Sequence, residues 1–290
     1  MEPLISVIIP TYNRAKDLKR SLNSVINQSY AHWEAIVVDN HSQDNTDDVI
    51  AEFNDKRIKL HKIHNNGIIA ASRNKGIKNA SGDYLAFLDS DDWWSVDKLQ
   101  RCVSAVEAGA DLVYHNLFLV MSEDQKRFWR TGIKRAVKRP VFQDLITHGN
   151  PISNSSVVVR TQLVNEVGGL IEDPDAVAME DFDCWLKISK LTEEFVFLDE
   201  NLGYYWVGGG NTSSPKRDLK VADKFLSLYG ENYTQGAPWW ICYTRGRAKY
   251  LLEDFQGAKE ALVNIDGNNV PFSVKLKKFW MMSKIRLTGN

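Results

Sequence analysis

Cysteine is scarce. Cys102, Cys184 and Cys242 are the only three in 290 residues, far apart, with no CxxC and no neighbouring histidine pair. That excludes a disulfide framework and a structural zinc site, and it suits a reducing compartment. Net charge is also lacking: 36 Lys and Arg against 37 Asp and Glu leave −1, so no global field points to nucleic acid. No stretch approaches the ~20 apolar residues of a membrane span. The opening "MEPLISVIIPTYNR" has neither the basic start nor the apolar length of an export signal. A cytoplasmic location is expected.

What is present is the material for a sizeable core, with 43% hydrophobic residues. The first 115 residues repeat a short apolar run, a polar loop and a helical stretch. The runs are "LISVIIP", "WEAIVVD", "RIKLHKI", "YLAFLD" and "DLVYH", several of them apolar on both faces, as strands covered on both sides must be. Helical spacing occupies 15–29, 44–54, 68–80 and 95–109. The alternation predicts an α/β fold with βαβ units and a mostly parallel sheet, whose ligands bind beyond the carboxyl ends of the strands. Further on, 117–121 and 126–131 are expected to pair as a hairpin, "NSSVVVR" to form a strand and 180–192 a helix. "FVFLDENLGYYWV" reads as two short strands before "GGGNTSSP". Three parts are expected: 1–115, 116–215 within the same domain, and a helical extension over 216–290. Inside that extension, Gly246, Tyr250, Ala258 and Leu262 have the spacing of one tetratricopeptide-like helical hairpin.

Polar residues gather at the strand ends. "VIIP" runs into Thr11, Tyr12 and Asn13; "AIVV" ends in Asp39; "YLAFL" ends in Asp89, with Asp91 and Asp92 close behind. One of these acids could cap the helix that follows near Ser95. A D-S-D-D run at the mouth of a buried strand asks for more, because mutual repulsion opposes ionising all three. A divalent cation removes that cost. Magnesium or manganese takes one or two carboxylates together with substrate phosphates.

"SVIIPTYNR", "IVVDNHSQDNT" and "NNGIIAASRNKGIKNASGDYLAFLDSDD" resemble, in order and spacing, the signatures of family-2 glycosyltransferases, and "MEDFDCWLK" resembles that family's acidic ED motif. The resemblance covers roughly residues 4–210. It implies a GT-A fold and an inverting, metal-dependent transfer from a UDP-sugar to a growing glycan or lipid-linked acceptor. Pro10, Thr11 and Tyr12 would line the base pocket, and Asp39 would accept from the uracil ring. Asp89 and Asp91 would form the DxD pair, Asp91 being the firmer ligand for Mn2+ or Mg2+. Arg73 and Asn74 match the family's "RN" beside the donor. Trp93, Asn154, Ser155 and Glu180 are candidate linings of an acceptor or sugar pocket.

Two of these residues also carry a reading of their own. Arg73 interrupts an apolar stripe between Ile69 and Ile77, where an unpaired charge is expensive. A diphosphate or acidic partner in the crevice is the expectation; an internal ion pair or a snorkelling side chain is the alternative. In the 180–188 helix, Asp181 shares a face with Trp185 and Ile188, while Glu180 and Asp183 are expected to point elsewhere. Desolvation there would raise Asp181 towards a useful base, and as the second acid of the ED pair it is the expected catalytic base.

The match has departures. Many relatives carry a histidine near the closing loop, often in a "YRxH" setting, whereas here Gly208 or Gly209 falls there; the glycines suit either a mobile lid or an ordinary flexible loop. QxxRW, the mark of processive synthases, is missing, so single-sugar addition is expected. The C-terminal "PFSVKLKKFWMMSKIRLTGN" holds five basic residues and no acid. It suits either docking on an anionic membrane surface or packing on its own domain. Two other classes were weighed: a sugar-phosphate nucleotidyltransferase, which normally has a Gly-rich loop where "PTYNRAKD" has no glycine, and a non-catalytic carbohydrate- or sugar-nucleotide-binding module.

Overall fold

A computed structural model describes residues 2–128, 131–132, 135–208, 214–233, 236–265 and 270–288. The elements run β1 (Ile5–Thr11), α1 (Ala15–Ile26), β2 (Trp33–Asp39), α2 (Thr46–Glu52), β3 (Ile58–Lys62), α3 (Ile69–Lys78), β4 (Tyr84–Phe87), β5 (Trp93–Trp94), α4 (Lys98–Glu107) and β6 (Leu112–Val120). They continue with α5 (Val141–His148), β7 (Val158–Arg160), α6 (Thr161–Glu166), α7 (Glu180–Ile188), β8 (Phe195–Trp206), α8 (Pro215–Tyr229), α9 (Trp239–Leu251), α10 (Phe255–Val263) and α11 (Phe272–Thr288). Among the described residues no helix is long and apolar enough to cross a membrane.

One eight-stranded sheet has the order β3-β2-β1-β4-β7-β6-β8-β5. Every residue of β1, β2 and β4 is buried, because both faces of the sheet are covered. The strand period of two divides their side chains. Ile5, Val7, Ile9, Ala35 and Val37 pack with Leu18, Leu22 and Val25 of α1 and with Leu99, Val103 and Val106 of α4. On the other face α3 lies so close that a Cβ on Gly76 would come within 2.6 Å of Ile8. Trp185 of α7 sets its edge against Phe87, centroids 5.9 Å apart.

The first four strands in the sheet order are parallel. Beyond them the pattern is mixed. β7 runs antiparallel between β4 and β6, so the "DLVYH" run is not the next parallel neighbour of β4. β6 continues to Val120 and takes in 117–120, while 126–131 forms no strand among the described residues; Thr131 makes only an isolated bridge to Phe118. The two short strands expected after 194 are one strand of 12 residues, parallel to β6, with register shifts near Asn116 that absorb the "DEN" interruption. Trp93 and Trp94 form a short strand against β8, and α4 starts only at Lys98, so neither Asp91 nor Asp92 caps it.

The chain divides into two compact units. The first holds the sheet; the second takes 143–149, 173–179 and the chain from 214 onward, so it draws in two segments ahead of the expected boundary at 216. In the second unit α9 and α10 form the expected hairpin. Gly246 permits it, since a Cβ there would meet Leu262 at 2.6 Å. Cys242, Ala258, Leu262, Ile265, Met281 and Ile285 form its core.

Lys98 is the most unusual core residue of the first unit. It is fully buried, its ammonium has no hydrogen-bond partner and lies 3.7 Å from the Trp94 ring centroid. Burial pushes its pKa down from 10.5 to about 8. The unfolded chain therefore binds the extra proton between those values, and the wild type is expected to gain stability as pH rises through that window. Lys98→Met should lack this gain and should be about 1–2 kcal/mol more stable at pH 7, measured by denaturant unfolding at both pH values. A less stable variant would mean that the ring contact outweighs desolvation.

Candidate active site

The parallel register brings the strand exits together. Thr11 at the end of β1 pairs with Asp39 at the end of β2. Ile8 pairs with Phe87, and Leu88 N–H donates to the Ile8 carbonyl, so Asp89 emerges at the same edge. Pro10 is buried, Tyr12 is half exposed, and the Thr11 hydroxyl is buried without a partner. The loops after β1 and β2 are tied to each other: Asn13 N–H donates to Ser42 Oγ at 2.8 Å and Gln43 N–H to Asn13 Oδ1 at 2.7 Å. Asp39 is fully buried and already engaged. Its carboxylate accepts from Lys62 Nζ at 2.7 Å and from the amide and hydroxyl of Ser42.

Arg73 is 4% exposed and answers the question its sequence position posed. Nη2 donates to Asp89 Oδ1 at 2.6 Å and Nη1 to Glu180 Oε1 at 2.5 Å. The Asn154 amide, with its oxygen toward the guanidinium, accepts from Nε at 3.2 Å and from Nη2 at 3.3 Å. Burial alone would lower the Arg73 pKa, but Asp89 and Glu180 hold it above its ordinary value. The internal ion pair, not a phosphate, accounts for this charge. Asn74 is also turned inward: its amide exchanges hydrogen bonds with the backbone of Leu170 and donates to Glu172 at 2.8 Å. Both side chains of the "RN" pair are engaged by partners within the protein.

The remaining acids have separate environments. Asp91 is partly exposed, 3.8 Å from Arg14, and burial with the charge of Asp89 raises it to about 6. Asp92 is buried, accepts from Trp206 N–H at 2.8 Å, and is pushed well above the usual carboxylate range by burial and by Asp89 and Asp91. It belongs to the fold. Ser155 accepts from Asp89 N–H at 3.1 Å, and its carbonyl accepts from the Trp94 indole at 2.7 Å, so Asn154 and Ser155 brace the exit of β4. Trp93 stacks on Tyr204 with centroids 5.1 Å apart, and Arg20 lies 4.1 Å from its ring centroid.

The orientation of α7 differs from the helical-wheel expectation. Glu180, Phe182, Asp183, Cys184, Trp185, Leu186 and Ile188 are all buried, whereas Asp181 and Lys187 reach the surface. Glu180 and Asp183 point inward because each has a cation: Arg73 for the first and Lys187 Nζ at 2.7 Å for the second. Asp181 keeps a surface outlet, yet burial and the neighbouring Glu180 raise it to about 7, against the opposing pull of Arg73.

Three groups escape the motif reading. Arg14 faces Asp91 from the residue before α1. Arg20 donates to the Asp91 carbonyl at 2.8 Å, and its distance along α1 hides this contact from any motif. Tyr205 is pushed to about 12 by burial and by Asp92, Asp89, Asp91 and Asp181, so its hydroxyl faces the whole acidic group. Strand alternation separates it from Tyr204 and Trp206, and that was its one available signal.

No group of three or more His, Cys, Asp or Glu among the described residues could hold a metal ion. What exists is a pair, Asp89 and Asp91, at the open end of a sheet. That donor set fits a hard cation whose other ligands are phosphate oxygens and water. Gly208 is described and holds no third ligand; Gly209 and the rest of the expected lid through Ser213 lie outside the described residues.

Residues 6–162 match the model of the family described as Glycosyl transferase family 2. The chain belongs to that family. It is 30% identical over 233 residues, 79% of this chain and 88% of the relative, to TuaG of Bacillus subtilis, a glycosyltransferase assigned to teichuronic acid biosynthesis. It is 32% identical over 191 residues, 64% of this chain and 70% of the relative, to WfgD of Escherichia coli, a UDP-Glc:alpha-D-GlcNAc-diphosphoundecaprenol beta-1,3-glucosyltransferase. In fold it is similar to residues 1–349 of S. aureus TarS, solved in complex with UDP-GlcNAc (TM-score 0.62, 20% identity, 93% of this chain and 82% of that one). It is also similar to the mannosyltransferase PcManGT of Pyrobaculum calidifontis, in complex with GDP-Man and Mn2+ (TM-score 0.58, 18% identity, 99% and 83%). The protein is a glycosyltransferase with the GT-A fold. The nucleotidyltransferase and binding-module readings have no supporting observation.

Removing the Arg73 guanidinium would leave two carboxylates without their cation. Arg73→Ala is expected to lower stability by about 3–5 kcal/mol in denaturant unfolding. Glu180→Gln, which keeps an acceptor, should cost less. Equal and small effects would show that the network carries no structural load.

Proposed function

We propose that the chain transfers one sugar from a UDP-sugar to a hydroxyl of a growing glycan or lipid-linked acceptor, with inversion at the anomeric carbon and with Mn2+ or Mg2+ bound. The carrying observation is the single network that joins the exit of β4 to the start of α7. Through Arg73 it ties Asp89, which with Asp91 would suit a cation, to Glu180, the neighbour of Asp181, a carboxyl raised to about 7, and this supports the reading. A cation site and a poised base are the two requirements of a one-step displacement on a sugar diphosphate. The relatives add direction: WfgD is named for UDP-Glc and a diphosphoundecaprenol acceptor, and TarS was solved with UDP-GlcNAc.

In this reading Thr11, whose hydroxyl lacks a partner, and Pro10 and Tyr12 line the nucleoside end of the donor cleft. Asp39 adds an acceptor for the uracil ring while remaining bonded to Lys62 and Ser42. Asp91, with Asp89, would hold the cation, which when bound would supply neutralisation of charge on the leaving diphosphate. Arg73 holds the Asp89 carboxylate in place through its Nη2. Asp181 takes the proton of the acceptor hydroxyl as that oxygen bonds to the anomeric carbon and the diphosphate departs from the opposite face. Its largely buried carboxyl keeps a narrow outlet through which the proton can leave. No covalent enzyme intermediate is needed.

A base works in its ionised form. Sugar transfer should therefore rise as pH increases through about 7, with a further limit where the acceptor or fold fails. Asp181→Asn should lower kcat by about 10²–10⁴-fold, remove that rising limb and leave calorimetric UDP binding intact. Near-normal turnover would reject the assignment. Asp91→Asn should weaken Mn2+-linked UDP uptake by at least about tenfold while leaving the unfolding midpoint close to wild type. Unchanged cation-linked binding would reject the pair as the metal site.

A further inference from the structure

Helix α11 uses two faces at once. Val274, Met281, Met282 and Ile285 pack into the core of the second unit, and Lys278 Nζ donates to the Ile265 carbonyl at 2.7 Å. On the other side Phe272, Leu276, Phe279, Trp280 and Leu287 are between 53% and 75% exposed. At about 100° per residue these five fall within an arc of roughly 100°, centred away from the packed face. Five large apolar side chains on one exposed stripe form a patch of the kind soluble surfaces rarely carry without use.

The charges around the stripe are of one sign. On the same wheel Lys275 and Arg286 border it on one side and Lys277 and Lys284 on the other, and residues 270–288 contain no acid. An apolar stripe between two basic borders is the pattern of a helix lying in a bilayer interface, its apolar side chains among the acyl chains and its cations at the anionic headgroups. Pairing with a second copy across a two-fold axis would bring the like charges of both helices together, which opposes association. Because the inner face is already packed, the helix is formed before it meets a surface. It loses none of the binding energy that an unstructured tail spends on folding.

We propose that α11 docks the chain on an anionic phospholipid bilayer, lying parallel to the surface, with Phe272, Leu276, Phe279, Trp280 and Leu287 inserted and Lys275, Lys277, Lys284 and Arg286 on the headgroups. Trp280 also sets its edge against Tyr250, centroids 5.9 Å apart, so this member of the stripe is anchored to α9. This surface does not depend on the donor-site assignments, and its test uses neither donor nor acceptor.

The full-length chain is floated with phosphatidylcholine vesicles, with and without phosphatidylglycerol. It should rise with the mixed vesicles, much less with phosphatidylcholine alone, and added salt should release it. Two triple variants separate the contributions: Phe272→Ser with Phe279→Ser and Leu287→Ser, and Lys275→Glu with Lys277→Glu and Arg286→Glu. Each should reduce the bound fraction by about tenfold or more with an unchanged thermal unfolding curve, since all six side chains are exposed. Equal flotation of wild type and both variants would overturn the proposal, as would no flotation of wild type. So would a wild-type dimer in light scattering that the serine variant converts to monomer, because the stripe would then belong to a second copy.

Discussion

Arg73 sits on α3, a helix laid so tightly over β1 that only glycine fits at position 76. A guanidinium fixed there cannot reach bulk water, and at 4% exposure it persists only with full compensation. Two carboxylates supply it, from positions 16 and 107 residues away along the chain. Each is itself constrained: Asp89 by the end of β4 and by its own N–H to Ser155, Glu180 by the first turn of α7. The pairing therefore locks two segments that sequence keeps apart. The acidic turn after β4 and the start of α7 acquire a shared geometry, which a site needs if it is to hold a pyrophosphate and an acceptor hydroxyl in one reaction. Strength is not its main product, since buried ion pairs contribute little net stability; position is.

Burial, together with the same network, separates neighbouring acids in chemistry. Glu180 gives its charge to Arg73. Asp181, one residue on, is raised to about 7 by burial first and by the negative Glu180 second, against the pull of Arg73. Asp89 is bonded to the guanidinium, and Asp91, beyond it, is raised to about 6 by burial and then by the charge of Asp89. Asp92 is driven further by its deeper burial and by both neighbours, and turns inward to receive the Trp206 amide. At each of the two segments an acid spent on structure stands next to one left in tension. Tension of that kind marks where a proton or a cation is to be accommodated.

The sequence was most informative where structure is local. The apolar runs that end in Thr11, Asp39 and Asp89 became the strands of the parallel half, because an uninterrupted Val- and Ile-rich run has few other ways to be buried. Their convergence on one edge followed from the parallel crossovers. The site was less legible wherever partners are distant. No periodicity reports that Arg73 finds Glu180, or that Asn74 turns to the Leu170–Glu172 segment. The wheel for α7 failed for a related reason. A wheel assumes one buried face, but this helix is covered nearly all round, and its paired acids point in while Asp181 looks out. Likewise, one strand replaced the two expected over 195–206, because a bulge let β8 absorb its polar "DEN" without breaking.

Helix α11 extends that lesson to the surface. Read as a single amphipathic face, its apolar residues seem scattered on both sides, and packing and docking look like rival explanations. The structure assigns each set its own partner class. Val274, Met281 and Ile285 meet the protein core, and the Phe279 side meets whatever lies outside. A helix apolar on two sides is normally buried on two sides, and one side here has no protein cover among the described residues. The basic borders narrow the choice of cover, because a proteinaceous partner would need acids in matching rows, whereas an anionic bilayer presents negative charge everywhere. A candidate site built from satisfied and unsatisfied acids, and a terminal helix built from satisfied and unsatisfied apolar faces, thus follow one logic. In both, what the fold leaves uncompensated is what remains for a ligand to complete.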